Sequence, residues 1–164
     1  MIIRAARVDD APHLVSAERA VAAQPGLLAS RPEELLEESF RATIKRRDVR
    51  YVVAEREGEI VGHANLVPMA LASTRHIVRL TIVVHPGNEG QGVGKQLMTA
   101  LIDWARLAPA VRKIELNVRS TNTRAIGLYR SLGFEEEARH LDRICIDEHT
   151  FLDDLELGLF VKPR

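Results

Sequence analysis

The sequence predicts a mixed α/β fold, in which a mostly antiparallel central sheet is flanked by helices in the order β-α-α-β-β-β-α-β-α-β-β. Two observations support this prediction. Between residues 50 and 84, two strand-like segments joined by a hairpin signal are followed by a third strand-like segment. From residue 77 onwards, a β-branched segment runs through a glycine-rich turn into an amphipathic helix, and strands and helices then alternate.

The composition is that of one globular domain spanning residues 1–164. Of these 164 residues, 46% are hydrophobic and 28% are charged, and the formal net charge is zero. A neutral chain offers no electrostatic case for binding nucleic acid or an acidic membrane surface. The apolar stretches are too short for a membrane span, the N-terminus lacks the apolar core of a signal peptide, and one cysteine excludes an internal disulfide. These features favour the cytoplasm.

The N-terminal third is predicted to contain a strand and two helices. A short strand at residues 2–6 precedes a helix at residues 9–23, whose two aspartates and early proline are typical of a first turn. The second helix is predicted to begin with Ser30 as its cap and Glu33 as the capping-box acid, and to end at Arg47. Its expected apolar face consists of Leu35, Leu36, Phe40 and Ile44.

Strand patterns dominate the middle and the end of the chain. Residues 51–54 and 60–66 form a predicted hairpin around the turn at residues 56–59. Residues 77–84 are rich in β-branched side chains, and residues 113–118 alternate so that one face is apolar. Cys145 lies in a further predicted strand and is expected to be a small core residue.

The glycine-rich segment after residue 84 is predicted to bind an anion. Gly90, Gly92 and Gly94 remove side chains where backbone N–H groups can converge, and the following helix adds unpaired N–H groups and the positive end of its dipole. Phosphate or pyrophosphate is the usual ligand of such a strand-turn-helix unit. A turn that binds nothing remains the alternative at this point.

Two common nucleotide-binding motifs do not fit this segment. A Walker A loop that used Gly94-Lys95 would need glycine at Glu89 and serine or threonine at Gln96. A dinucleotide-binding motif that began at Gly90 would need a third small residue at Lys95. The sequence therefore argues against ordinary ATP and NAD sites.

A short capped helix is predicted after the strand at residues 113–118. Asn122 is a good N-cap, Gly133 is a C-terminal stop, and Tyr129 lies beside an apolar stripe. The stripe consists of Ala125, Leu128 and Leu132. Taken alone, this segment is equally well explained as an amphipathic helix with an amphiphilic tyrosine at its edge.

Together, the two segments resemble the GNAT superfamily of N-acetyltransferases. Residues 89–95, Glu-Gly-Gln-Gly-Val-Gly-Lys, are similar to motif A, commonly written Arg/Gln-x-x-Gly-x-Gly/Ala, but carry glutamate at its first position. Residues 116–134 match the signature positions of motif B. The resemblance covers roughly residues 50–161 in detail. It is closest to the small acetyltransferases that act on amino acids, phosphinothricin-like compounds or protein N-terminal amines.

The resemblance implies that acetyl-CoA is the co-substrate and that its pyrophosphate binds the turn, mainly through backbone amides. The turn residues concerned are Glu89, Gly90, Gln91, Gly92, Val93, Gly94 and Lys95. The resemblance also implies that the strand through Ile82 and Val84 holds the pantetheine arm and that Asn122 contacts it. Tyr129 would protonate the departing thiolate, and the pKa values of a thiol, about 8.5, and a phenol, about 10, permit this transfer.

The sequence leaves the general base open. Many relatives carry glutamate where this chain has Arg79. Glu115, His85 and a chain of water molecules are the candidates. The histidines are scattered, with no neighbouring cysteine and no paired carboxylate spacing, so no metal site is expected.

The predicted function is transfer of an acetyl group from acetyl-CoA to a primary amine by direct attack in a ternary complex. The amine could belong to a small molecule, an amino acid or a protein N-terminus. A non-catalytic acyl-CoA-binding or sensing module is the alternative, which Arg79 and Glu89 favour and which Asn122 and Tyr129 oppose. An unrelated phosphate-binding domain would share only the glycine turn. Related enzymes also imply a homodimer, for which the sequence offers an apolar final strand at residues 155–161.

Overall fold

A computed structural model describes residues 1–164, and its elements follow the predicted order. The strands are β1 (Ile2–Ala5), β2 (Arg50–Arg56), β3 (Glu59–Pro68), β4 (Ile77–Val84), β5 (Lys113–Arg119), β6 (Glu135–Asp147) and β7 (Thr150–Phe160). The helices are α1 (Ala11–Ala22), α2 (Glu37–Lys45), α3 (Val93–Leu107) and α4 (Thr123–Ser131). All seven strands form one sheet in the order β1-β2-β3-β4-β5-β7-β6. Only β4 and β5 pair in parallel, so the predicted, mostly antiparallel sheet is confirmed.

The sheet opens between β4 and β5. Residues 77–79 pair with residues 113–115, and beyond them the two strands have no common ladder. The N–H of His85 donates to Val61 O at 3.0 Å on the β3 side, so the odd-numbered residues of β4 bond to β3. Successive residues of an antiparallel strand direct their backbone groups to opposite neighbours. The N–H groups of Ile82 and Val84 therefore point into the opening.

Two helical layers cover opposite faces of the sheet. Along β2, Val52 and Ala54 pack in a large apolar cluster with α3 and α4. The alternate residues Tyr51 and Val53 pack in a smaller cluster with α1 and α2. The opening between β4 and β5 is thus approached by α4 from one face and by α1 from the other. None of the helices is both long and apolar enough to cross a membrane.

Several local predictions are confirmed by backbone geometry. Glu57 and Gly58 have φ values of 53° and 85°, the positive pair that a tight two-residue hairpin turn requires. Asn122 caps α4 by accepting a hydrogen bond from the Ala125 N–H at 3.2 Å. Gly133, with a φ of 93°, follows the end of α4 as predicted.

The predicted start of the second helix is wrong. A 3₁₀ turn at Pro32–Glu34 comes first, in which Glu34 rather than Glu33 accepts a hydrogen bond from the Arg31 N–H at 2.7 Å. The chain then extends through Leu35, whose side chain is buried with the smaller apolar cluster, before α2 begins. Burial of this leucine separates the turn from the helix, because a continuous helix would rotate its side chain to another direction.

The C-terminal hairpin contradicts two expectations. Cys145 is exposed, because β6 is the outer strand of the sheet and only β7 pairs with it. β7 lies between β5 and β6 and bonds to both, so its backbone cannot pair with a second copy of the chain. The strand edge available at this end of the sheet belongs to β6.

Candidate active site

A cavity of about 860 Å³ lies along the opening between β4 and β5. Residues from α1, β4, the glycine turn, β5 and α4 line it, and large concave sites of this kind are where ligands usually bind. The predicted site residues that line it are Ile82, Val84, Glu89, Gly90, Gly92, Val93, Gly94, Lys95, Asn122 and Tyr129. The fold therefore brings ten predicted positions, from three separate segments, to one cavity.

Gln91 is the predicted residue that does not line the cavity. Its side-chain amide accepts a hydrogen bond from Arg56 and donates one to the Gly87 carbonyl at 3.0 Å. These bonds hold the glycine turn against the end of β2. The Gln91 side chain thus supports the turn from outside the cavity, and binding of the cofactor by its backbone N–H stays a prediction.

The glycine turn presents a group of free backbone donors. Gly90 and Gly92 have φ values of 75° and 79°, which L residues with side chains rarely adopt. The Gln96 N–H bonds to Gly92 O at 3.1 Å, which closes the first turn of α3. The N–H groups before it have no partner within the helix, and they belong to Val93, Gly94 and Lys95. Together with the helix dipole, these N–H groups are suited to bind an anion.

Close packing of α3 against α4 explains why residue 94 is a glycine, and the guanidinium of Arg124 covers Gly90. A Cβ atom at Gly94 would lie 3.2 Å from Leu128, so this glycine allows α3 to approach α4 closely. A Cβ atom at Gly90 would lie 2.6 Å from the Arg124 guanidinium, which therefore lies directly beside the turn. Arg124 and Lys95 both line this end of the cavity, where they outnumber the single acid Glu89. Sequence reasoning missed Arg124, although a basic residue in the first turn of α4 was visible.

Tyr129 is buried at the edge of the cavity, with 7% of its surface exposed. Burial raises its pKa to about 12, and nearby Arg119 opposes this shift. The phenol therefore stays protonated at any working pH and can donate a hydrogen bond to an anion. Because it is a weaker acid than a free tyrosine, it does not give up its proton readily.

The two candidate bases named from the sequence do not reach the cavity. The Glu115 carboxylate is paired with Lys113 Nζ at 2.8 Å and with Arg79 Nη1 at 3.5 Å. His85 is 4% exposed, and both of its ring nitrogens have hydrogen-bond partners. Neither residue therefore presents an unpaired basic group to the cavity.

Lys113 also neutralises the only cluster of carboxylates that could have suited a metal ion. Oxygen atoms of Glu115, Glu137 and Glu156 lie within 4.8 Å of one another. The Lys113 ammonium lies 2.8 Å from Glu115 and 2.6 Å from Glu137. The Lys113 ammonium thus balances the negative charge of these carboxylates in place of a metal ion.

Charged side chains line the cavity on the face that carries α1 and α2. Arg79 binds the Asn117 amide, and Arg119, 6% exposed, pairs with Asp154 at 3.2 Å. Glu18 from α1 lines the same side of the cavity and is 8% exposed. Sequence reasoning missed Glu18. The available signal was its position on the buried stripe of α1, four residues after Leu14.

Comparison with known proteins first defines the class. The crystal structure of ribosomal-protein-alanine N-acetyltransferase from Brucella melitensis has a TM-score of 0.87 to this chain, with 27% identity. The match covers 98% of this chain and 99% of that one. The fold is therefore that of an acetyltransferase.

The chain belongs to the acetyltransferase (GNAT) family, whose sequence profile matches residues 18–134. It is 35% identical over 85 residues to N-alpha-acetyltransferase RimI of Mycobacterium tuberculosis, covering 52% of this chain and 51% of that protein. It is 32% identical over 84 residues to L-amino acid N-acyltransferase MnaT of Escherichia coli, covering 51% and 48%. The chain thus matches about half the length of these curated relatives.

Proposed function

We propose that this chain, as one domain over residues 1–164, transfers an acetyl group from acetyl-CoA to a primary amine. One observation carries the proposal: a cradle of free N–H groups and a buried phenol line a single cavity that opens toward both faces of the sheet. Membership of the acetyltransferase (GNAT) family supports the same conclusion.

The cavity suits a long ligand with a phosphorylated end. The N–H groups of Gly92 to Lys95 and the guanidinium of Arg124 would hold the pyrophosphate of acetyl-CoA. Backbone groups of Ile82 and Val84 are free to bond to the pantetheine amides along the opening. Asn122 uses its amide oxygen to cap α4, which leaves its NH₂ group free to donate to the same arm.

Bound acetyl-CoA would supply a thioester whose carbonyl carbon can be attacked by an amine. Tyr129 would then donate a hydrogen bond to the sulfur as negative charge develops there. A backbone N–H of β4 that faces the opening would donate to the thioester oxygen. Both donors are fixed in place by the fold, so little reorganisation is needed during the reaction.

The amine would approach from the face that carries α1, because α4 and the cradle occupy the other face. Glu18 offers negative charge there, and Arg79 and Arg119 offer positive charge. An amino group near a carboxylate, as in an amino acid or a peptide N-terminus, fits this distribution. The names of RimI and MnaT point to the same two classes of acceptor.

We also infer a cytoplasmic location and a homodimer. The exposed thiol of Cys145, without a disulfide partner, suits a reducing compartment. The unpaired edge of β6 offers a strand that a second copy could approach.

A thiol-release screen with acetyl-CoA tests the proposed activity. We expect at least one member of a panel of L-amino acids, polyamines and short peptides to release coenzyme A above the background without acceptor. Tight acetyl-CoA binding with no release from any acceptor would instead support the non-catalytic acyl-CoA-binding module.

A further inference from the structure

A chain of hydrogen-bonded, buried side chains leads from the cavity into the protein on the side of α1. Glu18 Oε2 lies 2.9 Å from His63 Nε2, and His63 Nδ1 lies 2.9 Å from His85 Nε2. His85 Nδ1 lies 3.0 Å from the carbonyl oxygen of Ile60. The three side chains come from α1, from β3 and from the residue after β4, and the hydrogen bonds between them have no part in the function described so far.

The hydrogen bond between His85 and Ile60, at the inner end of this series of side chains, determines where the protons of the series lie. The Ile60 carbonyl can only accept, so His85 Nδ1 must carry a proton and donate it. Burial, followed by the charges of the neighbouring His63 and His13, lowers the pKa of His85 to about 3, although the hydrogen bond to Ile60 opposes the shift. His85 is therefore neutral, its Nε2 accepts, and His63 must donate from Nδ1.

The remaining contact, between His63 and Glu18, then requires one shared proton. If His63 is neutral, its Nε2 is an acceptor, and Glu18 must carry the proton. If His63 is cationic, Glu18 is a carboxylate. Without this proton, a nitrogen lone pair would face a carboxylate oxygen at 2.9 Å. That arrangement is repulsive, and a proton taken up from the cavity would relieve it by bridging the two atoms.

Glu18 gives this pair access to the cavity and to water. The only acids that line the cavity are Glu18 and Glu89, and Glu89 lies at the cradle. Glu18 also lines a second cavity of about 170 Å³ between α1, α2 and the sheet, which has room for several water molecules. Its other wall residues are Leu35, Ser39, Phe40, Thr43, Tyr51, Asn65 and Thr81. A proton on Glu18 thus has a polar route away from the reaction site.

Among the residues that line the cavity on this side, Glu18 is the only carboxylate, and its charged and titratable neighbours do not replace it as a base. Tyr51 on β2 is buried, and burial followed by the charge of Glu18 raises the pKa of its phenol, so it remains a neutral donor. Arg79 on β4 and Arg119 on β5 are cations that line the same cavity. The part of α2 that lines the second cavity carries hydroxyl and apolar side chains only.

We propose that the Glu18–His63 pair is the general base of the acetyl transfer. This inference rests on the proposed function. Glu18 takes a proton from the ammonium group of the acceptor, and His63, which does not touch the substrate, shares that proton and positions the carboxylate. The freed nitrogen lone pair forms the N–C bond while the C–S bond breaks. The attacking nitrogen loses a second proton as the amide forms, and this loss balances the proton that the departing thiolate takes up to become a thiol. The first proton, which Glu18 accepted, leaves through water.

The chemistry requires such a base for ordinary amines. An alkylammonium group has a pKa of about 10.4, so at pH 7.5 only about one molecule in 10³ is neutral. A positioned base contributes about 10²–10⁴-fold to such a reaction. A nucleophile that is already neutral at this pH should not need the base.

A comparison of two small nucleophiles distinguishes the loss of the base from other damage to the site. Methylamine is cationic at pH 7.5, and hydroxylamine is mostly neutral, while both are small enough to enter without specific recognition. We expect Glu18→Gln to slow acetylation of methylamine by about 10²-fold or more and to leave hydroxylamine acetylation unchanged. Glu38→Gln is the matched control, because it removes an exposed carboxylate from α2 and should change neither rate. Tyr129→Phe should slow both reactions.

His63→Gln and an NMR measurement test the second member of the pair. His63→Gln should slow methylamine acetylation more than hydroxylamine acetylation, with acetyl-CoA affinity retained. In protein labelled with ¹⁵N-histidine, the spectra should show both His85 and His63 protonated at Nδ1, and a proton on His85 Nε2 would contradict this arrangement.

The outcomes distinguish this inference from the proposed function. The contrary results are that Glu18→Gln slows acetylation of the two nucleophiles equally, or leaves the rate with methylamine unchanged in the folded variant. Either result would overturn the role of Glu18 as a base and leave the proposed acetyltransferase function standing. If wild-type protein releases coenzyme A with neither hydroxylamine nor any member of the acceptor panel, the acetyltransferase activity itself is refuted, and the role of Glu18 with it.

Discussion

Replacing Tyr129 by phenylalanine should slow acetyl transfer without weakening acetyl-CoA binding. The substitution keeps the ring, which packs at 6.0 Å from the Phe134 ring, and removes only the hydroxyl group. The stability and the shape of the cavity should therefore change little. What is lost is the hydrogen bond to the sulfur in the transition state.

The structure limits the size of this effect. Full proton transfer from a phenol of pKa about 12 to a thiolate whose conjugate acid has a pKa of about 8.5 is uphill by about 5 kcal/mol. Tyr129 should therefore act mainly by hydrogen bonding to the departing sulfur. A hydrogen bond to a charged group contributes about 1.5–3 kcal/mol, which corresponds to about a 10- to 150-fold change in rate.

Single-turnover measurements with saturating acetyl-CoA and hydroxylamine are the appropriate assay, with binding measured in parallel by calorimetry. The defect should shrink when the acetyl group is carried by a more acidic thiol. Tyr51→Phe is the control, because it removes the only other tyrosine hydroxyl, which does not line this cavity. Equal single-turnover rates for wild type and Tyr129→Phe would refute the role of Tyr129.

The raised pKa of Tyr129 also predicts pH dependence. The folded pKa of about 12 lies above the unfolded value of about 10, so stability from the neutral phenol is complete below pH 10 and is lost as the pH rises through 12. Turnover should therefore show no alkaline loss from Tyr129 between pH 7 and 10. Between pH 9 and pH 11, the unfolding free energy of Tyr129→Phe should therefore fall less than that of the wild type. Denaturant titrations at the two pH values would measure this difference.

Four further predictions concern the cradle, the cap, the thiol and the assembly. Gly92→Val and Gly94→Val should abolish acetyl-CoA binding in calorimetry, the first by excluding φ of 79° and the second by contact with the α4 side chains. Gly127→Ala, on α4 with open space around it, should bind normally. Asn122→Ala should cost about 1 kcal/mol of unfolding free energy through loss of the cap, and also reduce acetyl-CoA affinity. The exposed Cys145 should react with a thiol reagent in the native protein as fast as in the unfolded chain, and protection would contradict its exposure. Light scattering at micromolar concentration should give twice the mass of one chain, and a monomer mass would count against the dimer.

Short-range patterns were sufficient to predict most of the elements and one end of the site. The glycine turn could be identified because positive φ values and free helix N–H groups depend on neighbouring residues only. The cap at Asn122 and the hairpin turn at Glu57-Gly58 are local in the same sense. The start of α2 was misjudged because burial of Leu35, a tertiary effect, outweighed the local capping signal.

The other half of the site depends on contacts between distant residues, which periodicity does not reveal. Glu115 looked like a possible base in the sequence, but Lys113 and Arg79 neutralise it away from the cavity. Glu18 looked like an ordinary helical residue, and only the packing of α1 on the sheet brings it to His63, 45 residues away. Likewise, insertion of β7 between β5 and β6 decided which strand edge is free. The sequence by itself determined most of the elements and the glycine turn with its free N–H groups, because these follow from local backbone preferences. The tertiary structure decided which charges are paired and which face the cavity, because burial and ion pairing are properties of the assembled fold.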